Sequence, residues 1–241
     1  MIFFSSKKVI MFFKIKLIFI ALCCFALNGF AQPAFIVNTK LQYDSSVMAD
    51  GKNALVNLAK FIPTIILDLK YGTTKNFTHK KLYKNARTTY LRYDAAMALL
   101  QIQQSLISKG YTMKIFDAYR PYSVTKLMWA LIQDERYVAN PKNGSGHNKG
   151  TSIDLTIVKL ANNEALNMGT DFDNFTEMAH HSYTANFDST IRANRNLLKE
   201  TMEKFGFKSL DTEWWHYSFV SSEKYDVIDL SFKKLKNIVK N

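Results

Sequence analysis

The 241-residue sequence has few of the residues that staple or punctuate a small domain: two cysteines, four prolines and nine glycines. Both cysteines, Cys23 and Cys24, fall in an N-terminal apolar run. The remainder of the chain therefore forms no disulfide, and a metal site there must use His or carboxylate ligands. A glycine-rich nucleotide loop, a βαβ rhythm, internal repeats and low-complexity linkers are all missing, which argues against a dinucleotide-binding or repeat architecture and leaves one domain as the expectation. The formal net charge is +12, but Lys and Arg are dispersed among acids without a long single-sign run. That pattern gives a soluble surface with some attraction to anionic neighbours such as wall polymer or membrane. It gives no footprint for nucleic acid, and no protein partner is called for.

What is present begins with an export signal. Lys7, Lys8, Lys14 and Lys16 precede the apolar run Leu17 to Leu27, which is too short for a comfortable membrane span. Gly29 and Ala31 then supply small residues at the two positions a signal peptidase reads. The expectation is a signal peptide over residues 1–31, cleaved between Ala31 and Gln32, with an exported, periplasmic domain over 32–241. Met11 is an alternative start. Leu22 before Cys23 argues against a lipoprotein signal, which would carry a small residue there. The signal takes four of the 32 basic residues and none of the 20 acids, leaving +8 on the mature chain.

Periodicity and turn residues outline the domain. FIPTIILDLKY (61–71) predicts a strand rich in β-branched residues, with Pro63 early in it. Helical spacing of apolar residues predicts a helix from Tyr93 to Lys109, stopped by Gly110. A strand from Thr112 to Tyr119 follows, then a helix from Ser123, its N-cap, to Tyr137. Asn140 to Gly150 has the composition of a loop, and Ser152 to Leu160 of a strand, with a turn at Asn162-Asn163. A helix from about Asp188 to Phe205, closed by Gly206, and a strand from Glu213 to Val220 complete the outline. The fold class this predicts is α+β: one domain with a mainly antiparallel sheet flanked by helices.

The chemistry is concentrated in two short stretches, SGHNKGTSID and EWWH. His147 and Asp154 in the first and His216 in the second are a ligand set suited to a catalytic zinc ion, one per chain, which keeps a position open for water. Asp154 is flanked by Ile153 and Leu155, where a buried carboxylate needs a cation or donors. Glu213 is the type of group that takes a proton from such a water. Strict strand alternation would point Glu213 and His216 to opposite faces, so a bulge or strand end at Trp214-Trp215 is required. Arg120, in DAYRP, suits an oxyanion or a carboxylate, and equally suits a salt bridge to Asp117. His180-His181 and His79 read as polar surface residues.

SGHNKGTSID, DAYRP and EWWH, together with DLKYGTTKNF (68–77) and MGTDFD (168–173), resemble in order and spacing the VanX-type D-alanyl-D-alanine dipeptidases of the zinc D,D-peptidase family. The resemblance runs from about Leu67 to Phe219. It implies a small α+β fold and zinc on His147, Asp154 and His216. It also implies Glu213 as catalytic base, Arg120 as transition-state stabiliser, and Tyr71, Ser145 and Asp173 around the substrate. The substrate it implies is the dipeptide D-Ala-D-Ala, with Ser145 and Asp173 near its ammonium end. Gly72 and Ser152 stand where the family pattern has alanine. Two alternatives go with this reading: a D,D-carboxypeptidase or endopeptidase on peptidoglycan stems, and a zinc-stabilised wall-peptide binding module.

Overall fold

A computed structural model describes residues 35–239. The expected signal segment, with Cys23, Cys24 and the Ala31–Gln32 junction, lies outside the described residues. The chain opens with β1 (Ile36–Val37), α1 (Lys40–Ala49), β2 (Leu55–Asn57), α2 (Leu58–Phe61), β3 (Ile66–Leu67) and β4 (Tyr90–Arg92). Its centre is α3 (Tyr93–Ile107), β5 (Tyr111–Asp117), α4 (Tyr122–Trp129), α5 (Gly146–Lys149) and β6 (Ser152–Lys159). It closes with α6 (Ser189–Lys204), β7 (Phe207–Leu210), β8 (Glu213–Phe219), β9 (Val227–Ile228) and α7 (Phe232–Ile238).

The main sheet has five strands in the order β3-β5-β6-β8-β7. The β3–β5 pair is parallel and the other three pairs are antiparallel, so the sheet is mainly antiparallel with one mixed edge. Two small ladders, parallel β1–β9 and antiparallel β2–β4, tie the ends of the chain to the body.

The helix α3 buries Ala95, Ala96, Leu99, Ile102 and Leu106 at helical spacing against the sheet. Each Leu or Ile there contributes roughly 1.5–3 kcal/mol of burial. Gln103 is buried on the same face and bonds Thr112 Oγ1 at 2.7 Å and the Met113 amide at 3.1 Å, so a polar side chain sits in the interior fully partnered. Along β6, Ile153, Leu155 and Ile157 join this core, whereas Ser152 and Asp154 stand on the alternate face. That alternate face carries the site.

Three expected elements differ. The predicted strand 61–71 is mostly turn, with only Ile66–Leu67 paired, because Asn57 caps a one-turn helix at Leu58–Phe61 and Pro63 sits in the turn that follows. The helix expected to run from Ser123 to Tyr137 starts one residue earlier and stops at Trp129. Beyond it Asp134 accepts from the Arg136 amide at 3.0 Å, a local bond that competes with helix continuation. Within the expected loop Asn140–Gly150, residues 146–149 form a helical turn.

Candidate metal centre and active site

That helical turn places the first histidine. Ser145 is its N-cap and accepts from the His147 amide at 3.1 Å, while Asn148 Oδ1 accepts from the Ser145 amide at 3.0 Å, a closed capping box. Asn148 Nδ2 donates to Arg120 O and to Thr125 Oγ1, both at 2.8 Å, and the Arg120 amide donates to His147 O at 3.2 Å. The turn is thereby welded to the DAYRP segment. A Cβ on Gly146 would lie 1.9 Å from Ser152 Oγ, so only glycine lets α5 lie this close to β6.

The sheet places the other two. Asp154 and His216 are direct partners in the β6–β8 ladder, as are Ser152 and Ser218 beside them. His216 Nδ1 lies 2.9 Å from Asp154 Oδ1 and 3.2 Å from His147 Nε2, and His147 Nε2 lies 3.4 Å from Asp154 Oδ1. The outward ring nitrogens are engaged: His147 Nδ1 with Ala118 O at 2.7 Å, and His216 Nε2 with Ser218 Oγ at 3.2 Å. If these outer nitrogens carry the ring protons, three lone-pair atoms face one another with no hydrogen between them. That arrangement needs a cation at its centre. A tetrahedral ion with ligands at about 2.0–2.1 Å has ligand–ligand edges of about 3.3 Å, and these side chains match that spacing. His147, Asp154 and His216 thus form a set able to hold a metal ion.

The electrostatics agree. Burial alone would raise the Asp154 carboxyl, but the two histidines beside it hold it well below the usual carboxylate range. Burial lowers His216 despite the opposing pull of Asp154, favouring the neutral imidazole that metals bind.

The alternation objection to Glu213 is met by a bulge. Ser209 pairs with Tyr217, but the next residue, Leu210, pairs with Glu213, so β8 carries extra residues over this stretch. The bulge brings Glu213 Oε2 to 4.0 Å from His216 Nδ1. Trp214 and Trp215 are both core residues, and Trp215 also lines the cleft. Burial, with Asp154 and Asp173 nearby, pushes Glu213 well above the usual carboxylate range while Arg120 pulls it back.

Arg120 is buried and held by Asp117, whose Oδ2 accepts from Nε at 2.9 Å and from Nη2 at 2.8 Å. The salt bridge anticipated for this residue is therefore present, and the same guanidinium reaches Asp154 Oδ2 at 3.6 Å and covers the Tyr71 ring at 5.0 Å. Asp117 is fully buried and takes a further bond from Tyr83 O–H at 2.7 Å.

Tyr71 O–H donates to Asp173 Oδ1 at 2.9 Å, and the Phe77 amide donates to Oδ2 at 3.0 Å. Tyr71, Arg120, Ser145, His147, Asp154, Asp173, Glu213 and His216 line one cavity of about 240 Å³. All eight residues singled out in the sequence meet there. Sequence reasoning missed Ala118 O and Ser218, which orient the histidines, and Tyr83, which orients Asp117. A backbone carbonyl leaves no sequence signal, but Ser218 stands two residues after His216, on the same strand face. His79 is exposed as expected, whereas His180 and His181 are half-buried and lie outside this cavity.

Residues 51–234 match the family model described as D-Ala-D-Ala dipeptidase, peptidase family M15. The chain belongs to this family. It is 34% identical to the D-alanyl-D-alanine dipeptidase of Escherichia coli over 72% of this chain and 89% of that protein. It is 31% identical to the D-alanyl-D-alanine dipeptidase of Enterococcus faecalis over 70% of this chain and 93% of that one. A solved structure, VanYB in complex with D-alanine-D-alanine, aligns at a TM-score of 0.38 and 15% identity over 57% of this chain and 76% of that one, too loosely to bear on the chemistry. Membership makes this protein a peptidase.

Proposed function

We propose that this protein hydrolyses D-alanyl-D-alanine to two molecules of D-alanine, with one zinc ion per chain held by His147, Asp154 and His216. The observation that carries the reading is the convergence of His147 Nε2, Asp154 Oδ1 and His216 Nδ1 at 2.9–3.4 Å, with both outer ring nitrogens engaged elsewhere. When bound, zinc supplies a Lewis acid that makes water nucleophilic near neutral pH.

The residues of the chain do the rest. Glu213, in the same cavity, takes the proton of the attacking water as its oxygen bonds to the scissile carbonyl carbon. Glu213 then delivers that proton to the amine as the C–N bond breaks, and a carboxyl pushed upward by burial suits both transfers. Arg120, anchored by Asp117, faces the developing oxyanion, and one such donor is worth on the order of 100- to 1000-fold in rate. Asp173, with Ser145 across the cavity, receives the substrate ammonium, and Tyr71 holds Asp173 in place. A cavity of about 240 Å³ suits a dipeptide better than a stem peptide, being smaller than drug-sized sites of roughly 300–1,000 Å³. We place the enzyme outside the cytoplasm, in recovery of D-alanine from wall turnover, on the expectation that residues 1–31 are an export signal.

The test incubates zinc-loaded protein with D-Ala-D-Ala and with N-acetyl-D-Ala-D-Ala, with and without chelator. Chelator-sensitive release of D-alanine from the free dipeptide alone is expected. Cleavage of the acetylated substrate alone would indicate a carboxypeptidase, and cleavage of neither would leave a binding module.

A further inference from the structure

Arg195 lies in the middle of α6, 5% exposed, and meets no carboxylate among the described residues. Its guanidinium instead donates to three backbone carbonyls: Nε to Met168 O at 2.6 Å, Nη2 to Met178 O at 2.8 Å and Nη1 to His180 O at 2.9 Å. It also lies over the Phe187 ring at 4.5 Å. These carbonyls lie within one connection, the segment between β6 and α6, with Met168 before Asp173 and Met178 and His180 after it. One planar group therefore closes the loop at its base.

The base is further fixed from both sides. Asn194 Nδ2 donates to Asn167 O at 2.9 Å, and Trp214 Nε1 donates to Thr170 Oγ1 at 2.8 Å. Gly169 adopts φ +83°, and a Cβ there would lie 2.5 Å from Phe187, so the loop start is pressed onto the ring under Arg195. At the tip of the loop Asp173 has φ 63°, a left-handed conformation that Asp adopts more readily than most non-glycine residues. Its two carboxylate oxygens are aimed by the Tyr71 and Phe77 bonds, which act only if the loop arrives at the right height.

We infer that Arg195 is a positioning residue for substrate binding, a clamp that holds the 168–180 loop so that Asp173 meets the ammonium of the dipeptide. This rests on the reading of Asp173 given above. A buried cation satisfied only by neutral carbonyls and an aromatic face is a costly way to fill space that Met or Leu would fill. What Arg adds is a rigid planar fork of donors that fixes carbonyls from both loop ends relative to each other, which the point charge of Lys does not do. Arg195 is not among the residues lining the catalytic cavity, and His147, Asp154, His216 and Glu213 lie on other elements. Its removal should reach binding before it reaches the metal or the base.

The test measures KM, kcat, zinc content and the preference for D-Ala-D-Ala over N-acetyl-D-Ala-D-Ala in Arg195→Met, Arg195→Lys and Asp173→Asn. Arg195→Met is expected to raise KM about 10- to 100-fold, the worth of a charge-assisted contact, with full zinc content, a smaller effect on kcat and a weakened preference for the free dipeptide. Arg195→Lys, which retains the charge without the fork, is expected to shift KM in the same direction, and it decides the matter if Arg195→Met does not fold. In the Asp173→Asn background Arg195→Met should add little further rise in KM. Wild-type KM and preference in a folded Arg195 variant, a loss confined to kcat and zinc content, or full additivity with Asp173→Asn would each overturn the clamp. If Asp173→Asn leaves KM unchanged, the ammonium reading of Asp173 fails, and the clamp fails with it.

Discussion

Replacing Asp117 by Asn tests how the site holds its cation-bearing side chain. Asp117 Oδ2 accepts two bonds from Arg120, at 2.8 and 2.9 Å, and Oδ1 accepts from Tyr83 at 2.7 Å. Asn keeps the shape but removes the charge and presents an NH2 group to one of these donors. Arg120 is then a buried cation with a second carboxylate 3.6 Å away, Asp154 Oδ2. It is expected to turn toward Asp154, which leaves the oxyanion position and competes for a metal-ligating side chain. Breaking a buried pair costs about 3–5 kcal/mol. With a urea slope of roughly 2–3 kcal/mol/M, the unfolding midpoint should fall by about 1–2.5 M. The rate should fall on the order of 100-fold or more, since a mis-set oxyanion donor loses most of its effect. Urea unfolding followed by Trp fluorescence, steady-state kinetics and zinc titration measure the three quantities. An Asp117→Asn protein with a wild-type midpoint, kcat/KM and zinc affinity would refute the account of Arg120 as a residue aimed by Asp117.

Glu213→Gln should retain zinc and bind substrate while losing about 100- to 10,000-fold in kcat, and an undiminished kcat would remove Glu213 from the role of base. Ser218→Ala frees the outer nitrogen of His216 and should weaken zinc binding by about 10- to 100-fold, read by competition with a chromogenic chelator. Burial, against the Phe77 and Tyr71 bonds, pushes Asp173 up to about 7. The carboxylate proposed to bind the ammonium forms only as pH rises through that value, so kcat/KM should fall on the acid side of about 7 and Asp173→Asn should lack that limb. Its effect on stability has the opposite sign: the folded value lies above the unfolded one of about 4, so this group favours folding below about 4 and that contribution is lost as pH rises to about 7. Chelation should lower the melting temperature by roughly 8–16 °C, because zinc at about 1,000 times its Kd adds about 4 kcal/mol to a domain of this size.

The metal set was legible because its residues break a local rule. Asp154 stands between Ile153 and Leu155 in a strand buried on both faces, and a charge there is explained only by partners. Glu213 was legible in type but not in position, since the bulge that turns it toward His216 depends on pairing with β7, a strand that its four residues FKSL do not announce. The turn at Gly146–Lys149 was hidden because glycines and Pro141 give its surroundings the composition of a loop, although Ser145 and Asn148 spell its capping box. The strand expected at 61–71 failed because Ile62 and Ile65 are buried from turns and only Ile66–Leu67 pair, so no ladder forms. The parallel pair of β1 and β9 joins two-residue strands from opposite ends of the chain, and no local pattern encodes such a contact.

The site divides into two parts held by different means. His147, Asp154, His216 and Glu213 are fixed by a helical turn capped by Ser145 and Asn148, a strand pair and a bulge. Tyr71, Asp173 and the aromatic rim are carried by connections, where Tyr137 stacks on Phe175 at 4.9 Å and Phe175 meets Phe77 at 5.2 Å. Metal chemistry tolerates little displacement, so it belongs on the sheet. Selectivity for one end of a substrate varies with loops, which accept substitution without disturbing the sheet. A loop that must present a carboxylate at a set height then needs its own anchor, and a buried arginine bonded to carbonyls at both ends supplies one that does not touch the metal. Changes on the loop side should therefore alter which peptide is cleaved, whereas changes on the sheet side should alter whether any is.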